Sequence, residues 1–269
     1  MDERVRTTVD GGVAEVRLSR PDKRNALDVA MFSAIVHATH GLRTTPGLRA
    51  VVLSADGPDF CAGLDRDMFR AMGSGERLSA TAELPPPAAG SPARATGQRA
   101  VWGFAELPVP VIAAVQGNAL GGGLQIALGA DIRIVAPDAT LSVLEIRWGL
   151  VPDMCGTRLL PGLVGRDVAK DLTFTGRPVS GTDAVALGLA TRTATDPRAA
   201  AWETAREIAA LSPQAVRAAK RLLDDEGRSP IADGLAAEQD EIGALIGSPD
   251  QREAVVARLE GRAPRFTDG

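Results

Sequence analysis

The chain has 269 residues, enough to bury a substantial core, with the 45% hydrophobic and 24% charged content of a soluble globular protein. Its net charge of −4 gives no global basic field, which argues against a nucleic-acid partner, and no apolar run approaches the length of a membrane span. Cys61 and Cys155 make neither a disulfide framework nor a metal-ligand spacing, and His37 and His40 lie three apart without companion ligands. A metal site and a Ser-His-Asp triad are therefore both poorly supported, and the expectation is that no metal is used. The charged opening MDERVRTTVDGG lacks the apolar run of a secretory signal, which points to the cytoplasm.

In chain order, Val13, Val16 and Leu18 predict strand, with a hairpin at Gly11-Gly12. Residues 25–40 read as helix, with Leu27, Met31, Ile35 and Val36 at roughly helical spacing. A short buried strand at 50–53 leads through the turn Asp56-Gly57-Pro58 into the loop 60–65. From 71 to 97 regular patterning fails, and the run LPPPAAGSPARATG reads as a mobile loop, either a surface insertion or a lid over a substrate. A helix through Trp102 and Phe104, a strand at 109–115, a glycine turn at 121–123 and a helix from Leu124 follow. Residues 132–135 and 140–143 predict further strands, so the first two-thirds read as α/β. Beyond Asp196 the pattern is helical, over 200–211, 213–225, 231–246 and 249–259. This divides the chain into a core at 1–195 and a helical region at 196–269.

The sharpest local signal is the strand that runs through Gln116-Gly117-Asn118-Ala119-Leu120 into three glycines and a helix. Glycines there admit a ligand to the main chain, and N–H groups at a helix start favour negative charge. The run is not the GxGxxG dinucleotide fingerprint, and no Gly-Lys-Ser/Thr of a P-loop follows.

With those glycines go the segments RPDKRNALD (20–28), DFCAGLD (59–65), PVIAAVQGNALGGGLQIALGADIRI (110–134), LEIRWGLVPDMCGTRLLPGLVG (144–165) and TGRPVSGTDAVALGLA (175–190). In this order and spacing the chain closely resembles the crotonase superfamily of enoyl-CoA hydratases and isomerases. The resemblance implies a spiral of ββα units with a helical C-terminal region that drives assembly into a homotrimer or a dimer of trimers. It implies an acyl-CoA thioester as substrate, with coenzyme A part of that substrate and no separate cofactor. Neither nucleic acid nor membrane is an expected partner.

By motif position, the backbone N–H groups of Leu64 and Gly122 would form an oxyanion hole for the thioester oxygen. Lys23, Arg24 and Ala26, with Ala62, Gly63 and Asp65, match the positions that hold coenzyme A. Hydratases of the family place carboxylates at two positions that here are Gln125 and Glu145, and a neutral amide cannot accept a proton. Gln125 is thus expected to bind substrate, and Trp148 to line its pocket. Asp153 stands where many hydratases have glycine. Such an aspartate resembles dienoyl-CoA isomerases and an aroyl-CoA dehalogenase, the latter weakened here because no histidine follows His40. Glu145 and Asp153 are the expected catalytic pair. Double-bond isomerisation is the favoured reading, with syn hydration and a non-catalytic acyl-CoA-binding protein as alternatives.

Overall fold

A computed structural model describes residues 4–76 and 84–267. Its strands are β1 (Val5–Asp10), β2 (Val13–Leu18), β3 (Ala50–Ala55), β4 (Val111–Val115), β5 (Asn118–Leu120), β6 (Ile132–Val135), β7 (Thr140–Ser142), β8 (Val179–Ser180) and β9 (Arg192–Thr193). Six of them form one sheet in the order β1-β2-β3-β4-β6-β9, and β5-β7-β8 form a second, smaller one. The β1–β2 hairpin turns on Gly11 and Gly12, at φ 56° and 80°, the positive pair that matches strand twist in a two-residue turn. From β2 onward the large sheet is parallel.

The parallel strands are covered on both faces, as crossover connections require, and β3 and β4 are buried at every residue. Side chains alternate accordingly. Val16, Leu18, Val51, Leu53, Ala113 and Val115 face the main core, shared with α1 (Val29–Leu42) and α3 (Thr96–Ala105). Val13, Ala50, Val52, Ile112, Ala114 and Ile134 face the other way, against Ala201, Ala205 and Ala209 of α8 (Pro197–Ala209). Those alanines let the helix lie close. Arg198 fastens it with two bonds of 2.7 and 2.8 Å to the buried Glu15 of β2, which Ser54 also bonds at 2.7 Å.

The remaining helices are α2 (Arg66–Gly73), α4 (Gly122–Leu128), α5 (Gly156–Val164), α6 (Arg166–Thr175), α7 (Gly181–Ala186), α9 (Pro213–Asp225), α10 (Ile231–Leu245) and α11 (Pro249–Glu260). The C-terminal helices agree with the sequence within a few residues. The side chains of Asp196, Ser212 and Ser248 cap α8, α9 and α11, and each is followed by a proline at the first helical position.

Several expectations change. The helix expected from residue 25 begins at Val29, because Arg24 and Asn25 are left-handed at φ 50° and 54° and Asp28 caps the helix through Met31 N–H at 2.7 Å. Asn25 is buried, donating to the carbonyls of Asp56 and Asp59 at 2.9 Å each. The eight-residue α2 escapes the sequence pattern because only Met68 of it is buried. Residues 84–95, read as mobile, are docked: Leu84 packs on the core, Ser91 and Ala93 are buried, and Arg99 donates to the Pro85 carbonyl. Residues 77–83 of the same expected loop lie outside the described residues.

Candidate active site

Two short bridges hold the loop after β3, one against β5 of the small sheet and one against Leu27 ahead of α1. Cys61 N–H donates to the Asn118 carbonyl at 2.9 Å, and Leu120 N–H returns to Cys61 at 3.0 Å. Two residues on, the Gly63 carbonyl accepts from Leu27 N–H at 2.8 Å and Asp65 N–H donates to Leu27 at 3.0 Å. Successive peptides of an extended chain point to opposite sides, so Leu64 N–H faces away from Leu27. It has no acceptor among the described residues.

Gly63, at φ 87°, makes this approach possible: a Cβ there would stand 2.7 Å from the Leu120 carbonyl oxygen and 3.9 Å from Gly122 N. Gly121, at φ 52°, ends β5 and caps α4, its own N–H held by the Ser142 carbonyl of β7 at 2.9 Å. Gly122 is therefore the first residue of α4, and its N–H is one of those a helix cannot satisfy itself. It too lacks an acceptor among the described residues. Leu27 and Met154 close over this point, 2.9 and 3.1 Å from where a Gly122 Cβ would lie.

Glu145 opens a 3-10 turn, Glu145–Trp148, immediately beyond β7. Its carboxylate lies over the same glycines, with Oε1 3.4 Å from the Cβ position of Gly121. Gln125 of α4 donates from Nε2 to Glu145 Oε1 at 2.6 Å, and Gly156 N–H donates to Gln125 Oε1 at 2.9 Å. Glu145 Oε2 is buried without a hydrogen-bond partner. Burial pushes the Glu145 carboxyl above its usual range; backbone N–H groups and Gln125 pull it back in part, and the charge of Asp153 adds to the rise.

Asp153 itself is exposed, on the turn before α5. It does not cap that helix, whose N-cap is Cys155, and no ion pair with Arg158 occurs among the described residues. Trp148 is 57% exposed, and its ring stacks on Phe69 of α2 with centroids 4.3 Å apart.

The six positions matched to coenzyme A lie on two adjoining loops. Lys23 and Arg24 are exposed, Arg24 Nε standing 3.6 Å from Asp59. The Arg24 carbonyl accepts from Ala62 N–H at 2.9 Å, which joins the loops. Ala26 is buried, and its carbonyl accepts from Arg20 at 3.1 Å. Asp65 accepts from Asp67 N–H at 2.9 Å and from Arg20 at 2.6 Å, so its carboxylate is engaged within the protein. Burial works to raise its pKa, but these two bonds outweigh burial and hold it below the usual range.

The structure thus brings Leu64, Gly122, Gln125 and Glu145 together and sets Asp153 and Trp148 at the rim. Sequence reasoning missed Arg20, Phe69, Met154 and the N–H of Gly156. All but Phe69 fall within the matched segments, where the available signal was position alone.

The family model for enoyl-CoA hydratase/isomerase matches residues 8–269. A mouse protein named enoyl-CoA hydratase domain-containing protein 2, mitochondrial, is 35% identical over 95% of this chain and 84% of its own. An enoyl-CoA isomerase/hydratase of Mycosarcoma maydis is 31% identical over 95% of this chain and 93% of its own. The crystal structure of an enoyl-CoA hydratase from Bacillus anthracis superposes with a TM-score of 0.84 at 27% identity, covering 99% of this chain and 100% of that one. The fold is the crotonase fold. The chain belongs to the enoyl-CoA hydratase/isomerase family of the crotonase superfamily and is an enzyme of that family.

Proposed function

We propose that this enzyme shifts a double bond in an enoyl- or dienoyl-CoA thioester. In this reading Leu64 and Gly122 N–H hold the thioester oxygen and Glu145 carries the proton. The observation that carries it is the buried, unpartnered Oε2 of Glu145, with a neutral Gln125 where a second carboxylate would stand. Glu145 takes a proton from the carbon next to the carbonyl, and the electrons of that C–H bond move towards the oxygen as an enolate. The two amides stabilise that charge without reorganising, and such a donor is worth about 3–4 kcal/mol. Collapse of the enolate returns the proton from Glu145 to the far end of the conjugated system, so no atom is gained or lost. A carboxyl pushed above its usual range suits a group that must both take and give. Asp153 contributes its field at the rim, and Lys23 and Arg24 meet the phosphates of coenzyme A. No cofactor enters beyond that coenzyme A.

Hydration of a 2-enoyl-CoA is the second reading, favoured by the names of the relatives and by Asp153 as a second carboxylate. Incubation with 3-enoyl-CoA is expected to give 2-enoyl-CoA, and in heavy water the product gains deuterium only in turnovers where Glu145 exchanges its proton with solvent before returning it. Incorporation of heavy oxygen from labelled water into a 3-hydroxyacyl product, with no isomerisation, would replace this reading with the second.

The proposal extends to a cytoplasmic homotrimer or dimer of trimers. No helix among the described residues is long and apolar enough to cross a membrane. Exposed Leu223, Ile231, Ile246 and Leu259 on and beside α9–α11 support burial against further copies, which light scattering would reveal.

A further inference from the structure

We propose that Gln125 is a positioning residue that selects which oxygen of Glu145 reacts, rather than a group that touches the substrate. This rests on Glu145 being the proton carrier. Gln125 is 2% exposed on α4, and its amide could in principle point either way. The N–H of Gly156 removes that freedom: a backbone N–H only donates, so the group 2.9 Å from it must be Oε1. Nε2 is then obliged to face Glu145, which it meets at 2.6 Å.

The donation goes to Oε1 alone. Oε2 keeps its lone pairs and is the oxygen left for proton transfer. Gly156 is required for the arrangement, because a Cβ there would stand 2.7 Å from Gln125 Oε1 and push the amide away. A donor-only hydrogen at the helix start of α5 therefore sets the orientation of a carboxylate on a different element, through one buried amide. Gln125 also favours the ionised form of Glu145, opposing the burial that raises its pKa.

Gln125→Met keeps the volume and removes both bonds. It is expected to lower kcat at least about tenfold with KM within about twofold, and to move the acid limb of kcat/KM to higher pH. Gln125→Glu offers rescue, since a protonated glutamate accepts from Gly156 and donates to Glu145. Its activity is expected to exceed that of the methionine variant while one proton is shared, and to fall when the second carboxyl ionises. Circular dichroism would verify folding; should the methionine variant not fold, Gly156→Ala tests the same link. An unchanged acid limb and kcat in a folded Gln125→Met would overturn the proposal. If the native enzyme isomerises no enoyl-CoA, the functional reading fails instead. The link is then read from the carbon-13 titration of Glu145, whose pKa must still rise in Gln125→Met.

Discussion

Arg20 reaches Asp65 with Nη1 at 2.6 Å from Oδ2, and the same nitrogen stands 3.3 Å from Asp28 Oδ2. Asp28 caps α1 and Asp65 caps α2, so one guanidinium ties the starts of both helices. The residues just before those caps, Leu27 and Leu64, are the pair that bridge beside the proposed oxyanion hole.

Replacing Arg20 with Met is therefore expected to cost about 1–3 kcal/mol of stability in urea unfolding, the scale for a charge-assisted bond to a mostly buried group. It should lower kcat more than it raises KM, because Leu64 N–H loses its support. Asp65 has a lowered folded pKa, so its contribution is present above the ordinary carboxylate range and is lost as pH falls through that lowered value. The gap between native and variant should narrow in acid; a gap that stays constant would remove Asp65 from the account.

The two amides can be tested without adding a side chain. Placing an ester in the main chain at position 64 or 122, with the matching hydroxy acid, exchanges one N–H for oxygen. Each single change is expected to reduce kcat by about 100- to 1,000-fold with little loss of fold. Full turnover from both esters would mean that the thioester oxygen sits elsewhere.

Glu145→Gln should abolish isomerisation while leaving coenzyme A binding intact. Because burial raises the folded pKa of Glu145, the native chain favours its proton-bound form and loses stability as pH rises through that value. The glutamine variant does not titrate there. Its thermal midpoint is expected to exceed the native one near neutral pH and to converge with it in mild acid. Parallel melting curves at every pH would show that this carboxyl is not strained by burial.

Phe69 and Trp148 join the helix that follows Leu64 to the turn that begins with Glu145. Their stacking is worth about 0.5–1.5 kcal/mol beyond buried area. Trp148→Ala should raise KM roughly fivefold for acyl chains long enough to reach the rings, about 1 kcal/mol, and spare a four-carbon chain. A uniform loss at all chain lengths would make the pair a scaffold and not a wall.

Much of this was legible in the sequence where periodicity was strong or a motif was long. The parallel strands around Val51 and Ile112 and the capped helices after Asp196 announce themselves by pattern. The glycine run and the position of Glu145 are read from resemblance. What stayed hidden depends on partners far along the chain. The sequence carries strand signal through 116–120 and over 140–143, but β8 has only two residues and β5 three, too few to show that these strands leave the large sheet and pair in a second one. Arg20 meets Asp65 across 45 positions, and Gln125 meets Gly156 across 31. Residues 84–95 look like a linker by composition, yet Leu84 and Ala93 find a core surface that composition cannot display.

The amide of Leu64 hangs from the large sheet, whereas Gly122 and Glu145 hang from the small one, and Gly63 is the seam where the two meet. The spacing between the proposed donors and Glu145 therefore belongs to no single element. A slight slide of one sheet past the other would leave both sheets standing, break the close approach at Gly63, and is expected to misalign the proposed donors with Glu145.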